Sequence, residues 1–322
     1  HPQACRPTPV GLLFVHRSDS FGACIAPLSA WLGGAWYARP GSIDRVMVRL
    51  VSLVLFFACG AAAMVVVAAD APVHGVRVIA SWPHDTGAFT QGLVVVDGAL
   101  YESTGGYGSS TLRRVDLETG RVLQRRELPP RLFAEGLTAW QDELVQLTWR
   151  AGVGLRYDRR SLEPLGEFTL AGEGWGLTHD GTDWIVSDGS ATLRFLDPET
   201  GAERRRVRVL DGRRPVRRLN ELEMVPVHAG EPGETHDRLE LWANVWYSDR
   251  LVRIDPGDGR VLGYVDLAEL WPQGQRPHRE AVLNGIAYDA EQRRLLVTGK
   301  LWPRLYWIAV PGLVPGPDDA SE

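Results

Sequence analysis

Five short motifs along the chain place amide, carboxyl and indole side chains at corresponding positions of a repeat. Each motif is a polar or aromatic residue, then in most cases Gly, then an aliphatic residue; the five read Gln91-Gly92-Leu93, Glu135-Gly136-Leu137, Trp175-Gly176-Leu177, Asn220-Glu221-Leu222 and Asn284-Gly285-Ile286. A positioned carboxyl group can transfer protons, and amides can donate hydrogen bonds to developing negative charge. Because packing alone would favour Val, Ile and Ala, the polar side chains indicate a site rather than a purely packed axis.

A second set of side chains closes strand-like runs at a shared register. The runs ELVQLTW (143–149), LWANVW (241–246) and LLVTGK (295–300) end in Trp149, Trp246 and Lys300. Lys300 is the only lysine among 35 lysine and arginine residues, so it is a candidate for a role that needs a compact ammonium. A chance surface lysine is the alternative. Together with Phe89 and Trp175, these residues predict an aromatic box that holds Glu135 and Lys300.

Several classes of chemistry have no support in the sequence. All three cysteines (Cys5, Cys24 and Cys59) precede residue 72, which excludes a cysteine nucleophile or a thiolate metal site in the main domain. The histidines show no HExxH or paired ligand spacing, so a catalytic zinc is not supported. GxSxG and GxxxxGK[ST] motifs are absent. With a net charge of −5 and no strong basic tract, the chain is not expected to bind nucleic acid.

The five motifs recur at spacings of 44, 40, 45 and 64 residues. Two polar or proline-bearing insertions, near 228–238 and 268–280, lengthen the last spacing. Most of the motifs are followed by three further strand-like runs, and in four units an Asp leads into a turn, as in Asp116–Gly120 and Asp197–Gly201. Four strands per unit, five times over, predict an all-β, five-bladed β-propeller. The fifth unit lacks its outer strand, which the N-terminal segment GVRVIASW (75–82) is expected to supply, closing the ring. A β-sandwich or separate hairpins are the alternative.

The first seventy residues differ from the repeats in composition. Residues 47–71 read as a signal peptide or a membrane anchor, with one Arg before a long apolar run and small residues after it. Residues 1–46 lack clear periodicity and are interpreted as an upstream extension, either translated or lying before the true start codon. The catalytic domain is therefore expected to comprise residues 72–322 and to be exported, periplasmic or extracellular, and membrane-bound only if the N-terminal segment is retained.

The motif residues also carry a specific resemblance. The segments AFTQGL (88–93), FAEGLT (133–138), LNELE (219–223), WANVW (242–246) and VTGKLWP (297–303) resemble the glutaminyl-peptide cyclotransferases of the plant latex and bacterial type. The resemblance runs in order from about Trp82 to Ile308. Ala134 stands where the plant form has Gly, and an insertion near 228–238 also departs from the family pattern.

The resemblance implies a five-bladed propeller that cyclises the N-terminal glutamine of peptides or proteins to pyroglutamate, with release of ammonia and without catalytic zinc. By this resemblance Glu135 is the proton-transfer carboxylate, and Lys300 and Asn220 belong with it to the active site. Asn220, Gln91 or Lys300 would stabilise the developing oxyanion. The resemblance assigns the substrate pocket to Phe89, Gln91, Phe133, Trp149, Trp175 and Trp246. It implies no required cofactor, and it is compatible with a structural divalent cation in the channel.

Two other functions fit parts of the pattern. A non-catalytic propeller that binds a peptide or a protein partner would have no need of Glu135 or Lys300. A calcium-dependent lactonase would need several oxygen ligands around one cation, to which Glu135, Asn220 and Asn284 could contribute. The family motifs favour the cyclase over both.

Overall fold

The computed structural model of the chain describes residues 70–228 and 238–317. Within these ranges the chain forms strands throughout, with one short 3-10 helix (η1, Gln273–Gln275) and no α-helix. No helix in this described part is long and apolar enough to cross a membrane. The expected upstream extension and the signal peptide or anchor lie outside the described residues, apart from residues 70 and 71.

The described strands form five antiparallel blades. Two N-terminal strands, β1 (Val73–His74) and β2 (Arg77–Pro83), precede them. Blade 1 contains β3 (Thr90–Val96), β4 (Ala99–Thr104), β5 (Thr111–Val115) and β6 (Val122–Glu127). Blade 2 contains β7 (Ala134–Trp140), β8 (Glu143–Thr148), β9 (Val153–Asp158) and β10 (Pro164–Thr169). Blade 3 contains β11 (Leu177–His179), β12 (Trp184–Val186), β13 (Thr192–Leu196) and β14 (Glu203–Arg208).

The last two blades also include the N-terminal strands. After a small hairpin of β15 (Leu210–Asp211) and β16 (Arg214–Pro215), blade 4 contains β17 (Leu219–Val227), β18 (Arg238–Val245), β19 (Arg250–Ile254) and β20 (Val261–Asp266). Blade 5 contains β21 (Leu283–Asp289), β22 (Arg294–Gly299) and β23 (Arg304–Ala309). Its fourth, outer strand is β2, which pairs antiparallel with β23, while β1 adds to β20 in parallel. The predicted five-bladed propeller closed by an N-terminal strand is therefore confirmed.

Repeated turns explain why the sequence returns to the same hairpin in successive blades. In blade 1 the Asp116 carboxylate accepts a hydrogen bond from the Thr119 backbone N–H (2.9 Å), and Gly120 follows at φ 68°. In blade 3 Asp197 accepts from the Thr200 N–H (2.9 Å), and Gly201 follows at φ 71°. Asp caps the turn through its own side chain, and Gly adopts the left-handed conformation at little cost.

The apolar core is divided among the blade interfaces. Five buried clusters each lie between two neighbouring blades, as where Leu112 of blade 1 packs with Leu137 and Leu144 of blade 2. The cluster between blades 5 and 1 includes Trp82 of β2 at its edge. Each blade is therefore stabilised by its neighbours, and the ring depends on closure.

The innermost strands approach one another closely at the channel axis. A Cβ added at Gly136 would lie 2.5 Å from the Leu177 backbone nitrogen, and one added at Gly176 would overlap the Asn220 carbonyl oxygen. In four blades the pairing register of the innermost strand shifts at the motif residue. A β-bulge at this point redirects the side chain away from the regular alternation of the strand.

We expect deletion of residues 72–82 to destabilise the domain sharply. The deletion removes most of β2 and with it the outer strand of blade 5, exposing an unpaired edge and the face that Trp82 covers. A loss of at least about 3 kcal/mol in the free energy of unfolding corresponds to roughly 6–12 °C in Tm for a domain of this size. Thermal unfolding followed by circular dichroism measures the change.

A chain that begins at Pro72 is the matched control, because it keeps β1 and β2. It should melt like the full-length protein. Equal melting temperatures for both truncated forms would show that the N-terminal strand does not close the ring.

Candidate active site

One mouth of the central channel holds a cavity of about 220 Å³. All nine residues predicted from the sequence line it, together with one that was not predicted, and the lining is Phe89, Gln91, Phe133, Glu135, Trp149, Trp175, Asn220, Trp246, Glu280 and Lys300. The structure thus brings side chains from all five blades to one place.

Two structural features of the repeat direct these side chains to the same rim. The bulges near the start of the innermost strands lie at Gln91, Glu135 and Asn220. The second strands β8 and β22 end one residue before Trp149 and Lys300. Because the first two strands of each blade are antiparallel, the start of one lies beside the end of the other.

Glu135 is the more buried of the two carboxyl groups that line the cavity, and it is only 5% exposed. Its Oε1 accepts a hydrogen bond from Gln91 Nε2 at 3.1 Å. The Gln91 amide is held in turn by Asn284, whose Nδ2 donates to Gln91 Oε1 (3.4 Å) and to the Thr90 carbonyl oxygen (2.9 Å). Burial raises the pKa of Glu135 well above its ordinary value, against the opposing charge of Lys300. The group therefore keeps its proton to a higher pH than a free carboxylic acid does.

Lys300 is the cation of the cavity, with 4% exposure. Its Nζ lies 4.7 Å from the centre of the Phe89 ring, within the range of a cation–π contact. Burial lowers its pKa to about 8, although Glu135 and Glu280 act in the opposite direction. Within the described ranges, the ammonium makes no hydrogen bond or ion pair with a protein group. Its donors are therefore available to a bound molecule.

The aromatic walls pack edge to face. The Phe133 ring meets the Phe89 ring with centroids 6.2 Å apart and the Trp149 ring at 5.6 Å. On the other side, the Trp175 and Trp246 rings meet at 5.5 Å and 87°. Edge-to-face pairs of this kind hold the rings in fixed orientations, so the walls have a defined shape before anything binds.

Glu173 is a supporting residue that the sequence reasoning missed. Its Oε2 accepts hydrogen bonds from the indole nitrogens of Trp149 (2.8 Å) and Trp175 (3.0 Å), while Arg150 Nε donates to Oε1 (2.8 Å). One carboxylate thereby fixes two walls of the cavity. Its position two residues before Trp175 was the available signal, but nothing in the sequence linked it to Trp149.

Glu280 is the second missed residue. It follows the insertion near 268–280, and its carboxylate accepts a hydrogen bond from the Tyr247 hydroxyl. Arg279 forms an ion pair with it at 3.3 Å. The sequence identified the insertion but carried no signal that its last side chain returns to the channel mouth.

Two buried polar atoms of the cavity residues have no hydrogen-bond partner in the described part of the chain. They are Oδ1 of Asn220 and Nε1 of Trp246. An unpaired buried polar group costs about 1–3 kcal/mol. Both atoms belong to residues that line the cavity, but the atoms themselves are buried, so each has lost contact with water without gaining a partner in the described part of the chain.

The residues of the site do not form an obvious metal centre. Among residues 70–228 and 238–317, no group of three or more His, Cys, Asp or Glu side chains is arranged to hold a metal ion. Asn284, considered as a calcium ligand, instead directs its amide nitrogen to Gln91 and Thr90.

Comparisons with known proteins agree with one another. The model of the glutamine cyclotransferase family matches residues 50–310. A glutaminyl-peptide cyclotransferase of Arabidopsis thaliana is 42% identical over 241 residues, which are 73% of this chain and 71% of that protein. The crystal structure of Myxococcus xanthus glutaminyl cyclase matches with a TM-score of 0.67 at 35% identity, covering 76% of this chain and 100% of that one. The family match spans all five blades and every residue that lines the cavity.

Proposed function

Because the chain belongs to the glutamine cyclotransferase family, we propose that it acts as a glutaminyl-peptide cyclotransferase. In this reaction the N-terminal glutamine of a peptide or protein closes to pyroglutamate and ammonia is released. The observation that carries the mechanism is the buried pair of Glu135 and Lys300 within one aromatic cavity. Neither a peptide-binding propeller nor a lactonase accounts for that pair together with the family match.

The reaction joins two groups of the same residue. The α-amino nitrogen attacks the γ-carboxamide carbon, a C–N bond forms, and the carboxamide nitrogen leaves as ammonia. Nucleophile and electrophile are already linked, so the enzyme has to select the ring-closing conformer and move protons. The fixed aromatic walls supply the first requirement, because they limit the shapes that the glutamine side chain can adopt.

Glu135 is the proposed proton carrier. As a carboxylate it takes a proton from the attacking amine, and as a carboxylic acid it returns this proton to the leaving nitrogen. The hydrogen bond from Gln91 fixes Oε1 and leaves Oε2 for the substrate. Burial raises the pKa of Glu135 and so favours the acid form that the second step needs, while the charge of Lys300 favours the carboxylate that the first step needs.

Lys300 is the proposed donor to the developing oxyanion. Gln91 directs its Nε2 to Glu135, whereas the Lys300 ammonium has no protein partner in the described part of the chain. A preorganised cation in a site with little water stabilises negative charge strongly. Asn220 and Trp246, which line the same cavity, would help to hold the substrate in its ring-closing conformer.

The activity is tested directly with purified protein and a glutamine-initiated peptide. Mass spectrometry should show loss of ammonia from this peptide and no change in the same peptide with Asn or N-acetylated Gln at its first position. Unchanged glutamine peptide after prolonged incubation with folded protein would contradict the proposed function.

We expect the chemistry to be independent of zinc. Prolonged treatment with a chelator should leave kcat within about twofold, because proton transfer and charge stabilisation are assigned to side chains. Loss of a structural divalent cation would instead lower Tm without a proportional loss of kcat. Activity that disappears on chelation and returns with added zinc would overturn this assignment.

We also propose that the enzyme works outside the cytoplasm, on the basis of the apolar segment within residues 47–71. Fractionation of cells that express the full-length chain, followed by N-terminal sequencing, would separate a cleaved signal peptide from a retained anchor.

A further inference from the structure

A second cavity, of about 560 Å³, opens next to the site cavity. We name it the basic groove, because its walls include Arg218, Arg276, His278 and Arg279 around the ring of Tyr247. The mechanism uses none of these side chains.

The walls of the site cavity continue directly into the basic groove. Tyr247 follows Trp246 in the chain, and their rings are stacked at 4.4 Å. Arg279 precedes Glu280, and the Tyr247 hydroxyl donates a hydrogen bond to the Glu280 carboxylate. Residues that line the two cavities are thus in direct contact at this junction.

The backbone at this junction is held in an uncommon conformation. Arg218 has φ 65° and Tyr247 has φ 66°, and the Trp246 backbone N–H donates to the Arg218 carbonyl oxygen at 2.8 Å. Positive φ is rare for residues other than Gly, and it persists where the surrounding structure enforces it, often at ligand sites. The surrounding structure therefore enforces the conformation of Arg218 and Tyr247 where the two cavities meet.

Not every arginine of the groove is free to bind a ligand. Arg276 is occupied by Asp249, with Nη2 at 2.7 Å from Oδ1. Arg279 Nε pairs with the Glu280 carboxylate and its Nη2 donates to the Tyr247 hydroxyl (3.0 Å), but the side chain is 79% exposed, so the rest of its guanidinium faces solvent. Arg218 is exposed and, within the described residues, its guanidinium has neither a hydrogen bond nor an ion pair. Arg218 and Arg279 are thus the available donors for an acidic group.

We propose that the basic groove binds the peptide segment that follows the N-terminal glutamine, and that Arg218 and Arg279 select acidic side chains at its second or third position. This inference rests on the proposed function. The site cavity has room for little more than the terminal glutamine, so the following residues lie outside it. An acidic side chain there meets two guanidinium groups that favour carboxylates.

The test compares short peptides that begin with Gln and carry Glu, Ala or Lys at the second and third positions. We expect kcat/KM to be about three- to tenfold higher for the Glu peptides than for the Ala peptides, as partly exposed ion pairs allow. The Lys peptides should be the poorest substrates. The difference should lie in KM rather than kcat, because the contact is remote from the reacting atoms. It should shrink in high salt.

Charge-removing variants locate the effect. In Arg218→Gln and Arg279→Gln the ratio of kcat/KM between Glu and Ala peptides should fall towards one. Arg121→Gln is the matched control, because it removes one exposed arginine from the turn between β5 and β6, at the opposite end of the blade from the cavity residues. Its ratio should equal that of the wild type.

The outcomes separate this inference from the proposed function. If the wild type cyclises the Ala peptides but treats Glu and Lys peptides alike, the groove proposal is wrong and the cyclase function stands. If no glutamine peptide is cyclised, the function itself fails. A preference for Glu that survives in both groove variants would also overturn the assignment to Arg218 and Arg279.

Discussion

Replacement of Glu135 by Gln is expected to lower kcat by about 10²–10⁴-fold, the usual contribution of a positioned acid–base group. The substitution keeps the shape of the side chain and an oxygen that can accept the Gln91 hydrogen bond. It removes only the ability to exchange a proton. Steady-state cyclisation of a glutamine peptide measures the loss, and near-normal kcat would exclude Glu135 as the proton carrier.

The folded state of Glu135→Gln should be intact. Burial raises the pKa of Glu135, so this group opposes folding as the pH rises and it ionises, and removing it should preserve or raise Tm. The base form of the wild type is lost as the pH falls through the raised pKa, so kcat/KM should decline on the acid side at a pH above the ordinary carboxyl range. Glu167 is an exposed acid on β10 of the same blade, so Glu167→Gln is the matched control. It should change neither Tm nor the pH dependence of kcat/KM.

Replacement of Lys300 by Arg is expected to lower kcat/KM by at least about tenfold although the charge is kept. Removing one preorganised oxyanion donor typically costs about 10²–10³-fold, so Lys300→Ala and Lys300→Met should lose at least as much as Lys300→Arg. The expected loss of kcat/KM in Lys300→Arg has a geometric reason. A compact ammonium fits 4.7 Å from the Phe89 ring centre in a cavity of about 220 Å³, and a planar guanidinium needs more room.

The alkaline side of the pH profile distinguishes a catalytic ammonium from a structural one. Burial lowers the pKa of Lys300 to about 8, so its charged fraction, and with it kcat/KM, should fall as the pH rises through this value. The residual activity of Lys300→Met should lack that decline, because no ammonium titrates. Acetylation offers an independent check, since Lys300 is the only lysine and only the α-amine competes. Full activity of Lys300→Arg or of the fully acetylated protein would make Lys300 an ordinary lysine.

The architecture of this protein could be predicted from its amino-acid sequence. The sequence repeats a four-strand unit five times, except that the fifth unit lacks its outer strand. The N-terminal segment 75–82 has the alternation of a strand and can supply it. The five blades were predictable because each blade is specified locally, by strand alternation and by Asp–Gly turns within a few residues. The bounds of β2 at Arg77–Pro83 confirm the closing strand. The parallel addition of β1 to β20 was not predicted, because two residues carry no usable pattern.

The positions of the nine site residues also followed from the sequence, by register and by family resemblance. Residues at the same place in successive blades of a closed ring must meet at one mouth of the channel. The repeat register alone therefore predicted that Glu135 and Lys300 lie in the same cavity, as they do. What the register could not give was their environment. The burial that raises the pKa of Glu135 and lowers that of Lys300 depends on side chains from several blades.

Two further groups reach the site through long-range packing that no local sequence pattern predicted. Glu173 joins two indoles that are far apart in the sequence, and Glu280 returns to the channel mouth from an irregular insertion. Arg218 and Tyr247 acquire their roles from a strained junction beside the cavity. Irregular segments have no period from which a direction can be read, so their side chains are placed by packing against the rest of the ring and not by local sequence.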